Sequence, residues 1–579
     1  MYSFRELSKA AKLPLDSKEI RVAVLGNCAT QFFSMSIQGY ARLSGMNLKV
    51  FDADYNQIDV QLINPESETY KFDPDAILLW ISTEKIYEEF MGMSISKKRS
   101  FADFYIQKIE GYWNLAGKNS KARILQLNFT EIDDKALGNY SCKVESSFIY
   151  QIRKLNYLME CSMAQRSGVY PVDLLAVQIR LGLKQYYKAA MYYNSKMPVA
   201  TDAYPYIAKA VVDVLKAQEG QIKKCLICDL DNTLWGGTIG DDGLDGIEIG
   251  ELGKGRAFAD LQRWLKQLKE YGVILAVCSK NGEEAAKEPF EKHDEMILRL
   301  SDISVFVANW EDKVSNICRI REILNIGMDS IVFLDDNAFE RNLIRKMLPD
   351  IEVPELPDDP ALYLSFLQES NYFEAVSYTG ENEDRTRLYQ AEAERRKLSY
   401  VHETLDDYLR NLGMRGTAKP FEKDKFSRIA QLTQRTNQFN LRTIRYTEND
   451  IKRIACDDNC ITLFFTLKDE FGDYGVVSAV IIRKDEHGDG FIDTWLMSCR
   501  VFKRGMEEYV ANHIVEAAKK HGLRNLKAEY IPTAKNRIVC SVYNDMGFEE
   551  IKEHHYQLSV DRYVVKKTYI LEEEGYGKR

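Results

Sequence analysis

The stretch Lys224-Cys-Leu-Ile-Cys-Asp-Leu-Asp-Asn-Thr-Leu-Trp-Gly-Gly237 constrains this chain more than any other. Its apolar run, Cys225 to Cys228, reads as a short buried strand of a parallel sheet. The run ends in two carboxylates at i and i+2, Asp229 and Asp231, followed by small polar residues and glycines. Alternate residues of a strand point the same way, and open α/β sheets bind ligands beyond the carboxyl ends of their strands. Two acids aimed together at that edge repel one another unless a cation sits between them. The pattern suits Mg²⁺-assisted phosphoryl chemistry, with one carboxylate as nucleophile and the other handling protons. An isolated Asp-x-Asp also serves as a turn or helix cap, so the reading depends on what accompanies it.

Three further elements accompany it, each at or just after a predicted strand end. Ala276-Val-Cys-Ser-Lys-Asn281 offers the hydroxyl of Ser279, with the ammonium of Lys280 beside it. Asn309-Trp-Glu-Asp-Lys313 supplies Lys313, and Phe333-Leu-Asp-Asp-Asn337 adds the acidic pair Asp335 and Asp336. Loops at strand ends converge on one pocket. A phosphoryl group gathering negative charge needs donors and cations, which Ser279 and Lys313 provide. Asp335 and Asp336 complete an oxygen-rich Mg²⁺ site with Asp229. Lys280 reads equally well as a solvated surface lysine.

The chain has 579 residues, 45% of them hydrophobic, enough for several packed domains. Its formal charge of −9 implies no general affinity for nucleic acid. No apolar run spans a bilayer and no secretory n- and h-region opens the chain, so no membrane partner is expected. Eleven scattered cysteines read as reduced thiols of a cytoplasmic protein. Cys225 and Cys228 are three apart on one strand and so face opposite ways; a redox or zinc pair is not expected there.

Strand candidates Arg21–Gly26, Leu48–Phe51, Ala76–Trp80 and Arg123–Leu127 alternate with helical patterns such as Phe101–Leu115, which predicts a parallel α/β domain over residues 1–205. Residues 194–202 open a connector, followed by a helix over Ile207–Gln218. A second α/β domain is expected over 220–375, with strands at Cys225–Cys228, Val273–Cys278, Val305–Ala308 and Ile331–Leu334. A polar helical stretch, Glu381–Asp407, bridges it as a linker over 376–412. The last segment, 413–579, mixes the strands Ile461–Leu467, Gly475–Ile482 and Gly490–Met497 with a helix over Met506–Lys520 and a short strand at Leu526–Tyr530, an α+β pattern. The chain as a whole is therefore an α/β multidomain protein.

The ordered set of motifs resembles the haloacid dehalogenase (HAD) superfamily of phosphotransferases. The resemblance makes Asp229 the nucleophile, Asp231 the acid/base, Ser279 the phosphate-binding hydroxyl and Lys313 the stabilising lysine. Asp335 and Asp336 match the metal motif, with Asp336 the preferred direct ligand, and the main-chain carbonyl of Asp231 joins the Mg²⁺ ligands. The longer strings Asp-Leu-Asp-Asn-Thr-Leu-Trp-Gly-Gly, Ser-Lys-Asn, Ala-Asn-Trp and Leu-Asp-Asp-Asn are similar to the FkbH-like branch. So are Gln431-Leu-Thr-Gln-Arg-Thr-Asn-Gln-Phe-Asn440 and Met497-Ser-Cys-Arg500. That likeness covers roughly residues 200 to 550. It implies a phosphorylated small-molecule substrate and, for some members, transfer of a glyceryl-type acyl unit to the thiol of an acyl carrier protein. Cys228 and Cys278 flank the site, and both also read as small buried hydrophobes.

The flanking segments carry fainter resemblances. Val24-Leu-Gly-Asn-Cys-Ala-Thr30 is similar to the first block of SGNH-type hydrolases, with Cys28 in the place of their serine and Asn128 resembling a later oxyanion-hole residue. No histidine precedes His293, so Cys28 lacks the usual base, and a non-catalytic SGNH-like docking or substrate-binding domain is expected. The C-terminal part resembles GNAT acetyltransferases. Arg500-Val-Phe-Lys-Arg-Gly505, before a helix, is similar to their pyrophosphate-binding turn, which assigns Arg500, Arg504 and Gly505 to coenzyme A or phosphopantetheine; Lys503 stands where that turn has its first glycine. An acyltransferase or carrier-binding module with a secondary HAD centre is the alternative to a phosphatase. The run Gln434–Asn440 reads either as a solvated helix surface or as a polar wall against a ligand or neighbouring domain.

Overall fold

A computed structural model describes residues 1–378, 385–399, 405–533 and 535–573. They fall into two compact units, Met1–Gln218 and Glu219–Arg579. The first is built on β1 (Glu19–Gly26), β2 (Asn47–Asp52), β3 (Ala76–Trp80), β4 (Arg123–Leu127) and β5 (Val169–Val172), all parallel in the order β2-β1-β3-β4-β5. Helices cover both faces, so consecutive β1 residues from Val22 to Leu25 are all fully buried. β5 was not expected from the sequence, because Pro171 interrupts its apolar run. Proline lacks an N–H and is tolerated here because β5 is an edge strand. The unit takes in the helix Tyr204–Gln218, whose Tyr204 ring packs against Phe4, Phe32 and Trp80.

Glu84 lies in the first turn of the helix Thr83–Met91 and is 8% exposed. Burial pushes its carboxyl up to about 7, with Glu88 adding to the shift and its own backbone N–H opposing it. A carboxyl whose folded-state pKa is raised contributes stability below its unfolded pKa. That contribution is lost as pH rises through the folded value. Glu84→Gln should therefore raise Tm relative to wild type at pH 8 and leave the difference near zero at pH 5, a swing of up to about 2–3 kcal/mol. Equal differences at the two pH values would show that Glu84 is not linked to folding.

The second unit holds two sheets. Four parallel strands, β6 (Cys225–Cys228), β7 (Ile274–Ser279), β8 (Val305–Ala308) and β9 (Ile331–Leu334), run in the order β8-β7-β6-β9. Their side chains alternate between two cores. Cys225, Ile227 and Ile274 pack with Ile317 and Ile320 on one face; Leu226, Cys228 and Leu275 pack with Leu234 and Leu265 on the other. The two cysteines of the Cys-x-x-Cys string thus lie on opposite faces.

The other sheet is mixed and eight-stranded. It comprises β10 (Arg415–Lys419), β11 (Cys460–Asp469), β12 (Gly472–Lys484), β13 (Gly490–Met497), β14 (Asn525–Glu529), β15 (Glu549–Lys552), β16 (His555–Ser559) and β17 (Leu571–Glu572). Their order is β15-β16-β14-β13-β12-β11-β10-β17. β13 and β14 pair only over Gly490–Ile492. Beyond that point the segment Phe439–Leu441 enters the gap: Leu441 N donates to Trp495 O, Met497 N to Phe439 O, and Ile531 N to Leu441 O. The run Gln434–Asn440 is therefore a polar wall. Asn440 is 1% exposed, Asn437 Nδ2 donates to Gly220 O at 2.9 Å, and the Arg435 carbonyl accepts from Lys224 Nζ at 3.0 Å.

The helix Arg385–Ser399 joins the two sheets. Gln390 Nε2 donates to Ile303 O at 2.9 Å beside the parallel sheet. Arg395, fully buried, donates to Glu392 Oε2 at 2.5 Å and to Asp469 Oδ1 at 3.0 Å on β11. Of the expected bridge Glu381–Asp407, residues 381–384 and 400–404 lie outside the described residues. No helix among the described residues is long and apolar enough to cross a membrane.

Candidate active site

Register brings the acids together. Cys228 on β6 pairs with Val277 on β7 and with Leu334 on β9, so Asp229 leaves the sheet level with Cys278 and Asp335. Asp229 N donates to the Leu334 carbonyl at 2.9 Å, which fixes the first residue beyond the strand. Asn232 then takes a left-handed φ of 54°, a conformation asparagine tolerates better than most residues. Its Oδ1 accepts from Gly237 N at 3.1 Å and closes the loop.

Lys313, the first residue of the helix Lys313–Leu324, reaches back between two carboxylates. Its Nζ donates to Asp229 Oδ2 at 2.7 Å and to Asp335 Oδ2 at 2.5 Å. Asp335 is fully buried, Lys313 is 3% exposed and Asp229 is 8% exposed. Burial disfavours the ammonium, but Asp229 and Asp335 outweigh it and raise the Lys313 pKa. Burial, then the charge of Asp229, push the Asp335 carboxyl up to about 6 against the pull of Lys313. Asp336 is raised for the same two leading reasons.

Carboxylate oxygens of Asp229, Asp335 and Asp336 lie within 4.8 Å of one another, and Asp229 Oδ1 is buried without a hydrogen-bond partner. An all-oxygen donor set with an unpartnered buried oxygen fits a hard cation such as Mg²⁺. The Asp231 carboxylate is turned elsewhere. Its Oδ1 accepts from Trp235 Nε1 and Ile239 N, each at 3.0 Å, and its Oδ2 accepts from Asn281 Nδ2 at 2.8 Å. Of the four expected metal residues, three gather their carboxylates, and Asp231 has only its main-chain carbonyl to offer. Asn281 Nδ2 also donates to Ser279 Oγ at 3.2 Å, tying the Ser279 hydroxyl to the Asp231 carboxylate.

Several supporting residues were not singled out from the sequence. Thr233 Oγ1 accepts from Asp336 N at 3.2 Å. Arg341 Nη1 donates to the carbonyls of Asp335 at 3.0 Å and Asp336 at 2.6 Å, holding the second acidic loop from the helix Ala338–Met347. Only the five-residue spacing of Arg341 from Asp336 hinted at this. Lys280 pairs with Glu340 Oε1 at 2.6 Å. The flanking thiols are not poised for reaction: burial raises the pKa of both Cys228 and Cys278, the latter to about 12.

The other expected site residues are dispersed. Arg504 is 5% exposed; its Nη1 donates to Tyr474 Oη at 2.9 Å and its Nη2 to the Glu392 carboxylate. Gly505 takes φ 77° ahead of the helix Met506–Lys520. At this turn the Lys503 amide donates at 2.8 Å to Glu507, a carboxylate supplied by the chain itself. Arg500 lines a cavity with Lys224, Arg428 and Lys535. In the first unit, Cys28 is 1% exposed, and burial, then Glu84 and Asp52, raise its pKa far out of the reactive range. Asn128 caps a helix: its Oδ1 accepts from Leu174 N at 2.6 Å, and its Nδ2 donates to Asp173 at 2.7 Å.

A parallel sheet with a nucleophile-position aspartate on its central strand, a lysine between two acids and a third carboxylate for the metal define an enzyme of the HAD phosphatase type. Residues 21–216 match the family described as FkbH, N-terminal domain. The solved N-terminal part of BF1531 from Bacteroides fragilis, described as containing a phosphatase domain and complexed with Mg, is 41% identical, covers 65% of this chain and all of its own, and superposes with a TM-score of 0.62. The chain belongs to the same family as that protein. The ribosomal-protein-S18-alanine N-acetyltransferase of Escherichia coli (13% identity, 25% of this chain, 94% of its own) and a GNAT-family acetyltransferase of Streptococcus pneumoniae (17%, 25% and 97%) both give TM-scores of 0.20. No curated protein sequence matches the chain.

Proposed function

We propose that the chain is an Mg²⁺-dependent phosphatase or phosphotransferase that works through an aspartyl-phosphate on Asp229. The observation that carries this reading is the pair of contacts from Lys313 Nζ to Asp229 and Asp335, beside an Asp229 oxygen left without a partner. Bound Mg²⁺, held by Asp229, Asp335, Asp336 and the Asp231 carbonyl, would offset phosphoryl charge. A carboxylate oxygen of Asp229 attacks phosphorus as the bond to the leaving oxygen breaks, and Asp231 delivers a proton to that oxygen. Asp231 then takes a proton from water as the water attacks the aspartyl-phosphate, releasing phosphate and restoring Asp229. Ser279 and Lys313 hold the transferred group throughout.

A finer reading, that phosphate is the leaving group as a glyceryl-type acyl unit passes from a phosphorylated acid to a carrier-protein thiol, rests on the likeness to FkbH-type proteins. The raised pKa values of Cys228 and Cys278 favour an acceptor thiol supplied by a partner. The alternative, coenzyme A or phosphopantetheine at Arg500, Arg504 and Gly505, draws less support, because Arg504 is engaged by Glu392 and Glu507 already caps the turn.

A screen of phosphorylated small acids and sugar phosphates tests the main reading. Phosphate release is expected with Mg²⁺, falling by at least about 10²-fold with chelator and returning when Mg²⁺ is restored. Release that is indifferent to chelator would remove the metal from the mechanism.

A further inference from the structure

The catalytic carboxylates sit at the carboxyl ends of β6 and β9, and a basic cavity opens at the amino ends of the same two strands. Lys224 immediately precedes β6 and Ser330 immediately precedes β9, while Asp229 and Asp335 follow them. Five residue steps at about 3.3 Å each, across the four residues of either strand, separate the two places by roughly 17 Å. The cavity measures about 100 Å³ and lies between this edge of the parallel sheet and the helix Phe426–Arg435. Lys224, Arg428, Arg435, Arg500 and Lys535 line it against one carboxylate, Asp329, in a chain whose net charge is −9.

Arg500 is the decisive residue. It is 8% exposed, its Nε donates to Ser498 Oγ at 3.3 Å, and its Nη1 is buried without a hydrogen-bond partner. No carboxylate among the described residues pairs with it. Asp329, the acid of the lining, is engaged by Lys535. A buried guanidinium without a counter-charge is unfavourable, and its planar fork matches the oxygens of a phosphate. A water needs about 10–15 Å³ of such volume, so this cavity has room for a group of phosphate size.

We propose that this cavity binds a phosphate group, either the free anion or the phosphate end of a small phosphoester, at a second site remote from Asp229. Thermal unfolding of the full chain in chelator tests it, with inorganic phosphate, glycerol 3-phosphate or chloride at matched ionic strength. Without Mg²⁺ the readout does not depend on turnover, so it stands apart from the catalytic reading. Inorganic phosphate should raise Tm saturably beyond chloride, in wild type and equally in Ser279→Ala. Arg500→Gln should abolish the rise. Lys535→Gln, at a half-buried residue, should weaken phosphate affinity by about tenfold or more, the equivalent of one charge-assisted hydrogen bond. A glycerol 3-phosphate response that follows the same variants would support the site and identify an ester as ligand; a response to inorganic phosphate alone would support it and identify the free anion. The proposal is overturned if phosphate gives no rise in wild type, if the rise survives in both Arg500→Gln and Lys535→Gln, or if Ser279→Ala removes it.

Discussion

Asp229→Asn is expected to lower phosphate release by at least about 10³-fold while Tm stays near the wild-type value. The amide is isosteric with the carboxylate but is not a nucleophile, so the aspartyl-phosphate cannot form. The fold should survive because Lys313 keeps its contact with Asp335 at 2.5 Å and the backbone bond from Asp229 N to Leu334 O does not involve the side chain. Asp336→Asn provides the contrast. It removes one metal oxygen and spares the nucleophile, so raising Mg²⁺ should recover much of its lost rate. Excess Mg²⁺ should recover none in Asp229→Asn. Initial rates across a Mg²⁺ titration of both variants measure this. Near-normal turnover by Asp229→Asn would eliminate covalent catalysis at that residue.

The parallel sheet and its site were legible because their signals are local. Each of β6 to β9 is a short apolar run closed by a polar loop, and each candidate residue lies at the strand end or within five residues beyond it. Alternation along a strand by itself puts Cys225 and Cys228 on opposite faces, where they lie. The first unit was legible for the same reason except at β5, where Pro171 masks a strand that survives only because it is at the edge.

What the sequence hid is non-local or polar. β15 reads Glu-Glu-Ile-Lys, exposed at every position, so no hydrophobic period marks it; β10 and β17 are likewise polar or very short. Arg504 looks in sequence like an anion ligand ahead of a helix. Only the fold brings Glu392, 112 residues earlier, against its guanidinium. Asp231 illustrates the same gap at short range. Its spacing from Asp229 suggests a shared metal site, yet Trp235, Ile239 and Asn281 claim both its oxygens and turn its carboxylate away from the other three acids.

Lys313→Met should affect stability as well as rate. The ammonium is the counter-charge for two carboxylates, one of them fully buried. Replacing it with an apolar chain of similar length leaves Asp229 and Asp335 facing each other in a poorly solvated site, a change that costs about 3–5 kcal/mol when one partner of a buried ion pair is lost. In chelator the variant should unfold roughly 5 °C or more below wild type. A divalent cation restores the missing positive charge, so Mg²⁺ should raise Tm more in Lys313→Met than in wild type; a hundredfold excess over the variant's dissociation constant stabilises the variant by about 2.7 kcal/mol. Activity should not follow. In the proposed mechanism Lys313 also faces the transferred phosphoryl group, and losing such a contact costs about 10²–10³-fold in turnover, which no metal bound among the aspartates replaces. The pattern to look for is thus stability recovered by Mg²⁺ with rate still depressed. If stability and rate recover together, Lys313 only balances charge; if the variant melts with wild type in chelator, its contacts with Asp229 and Asp335 do not hold this end of the sheet together.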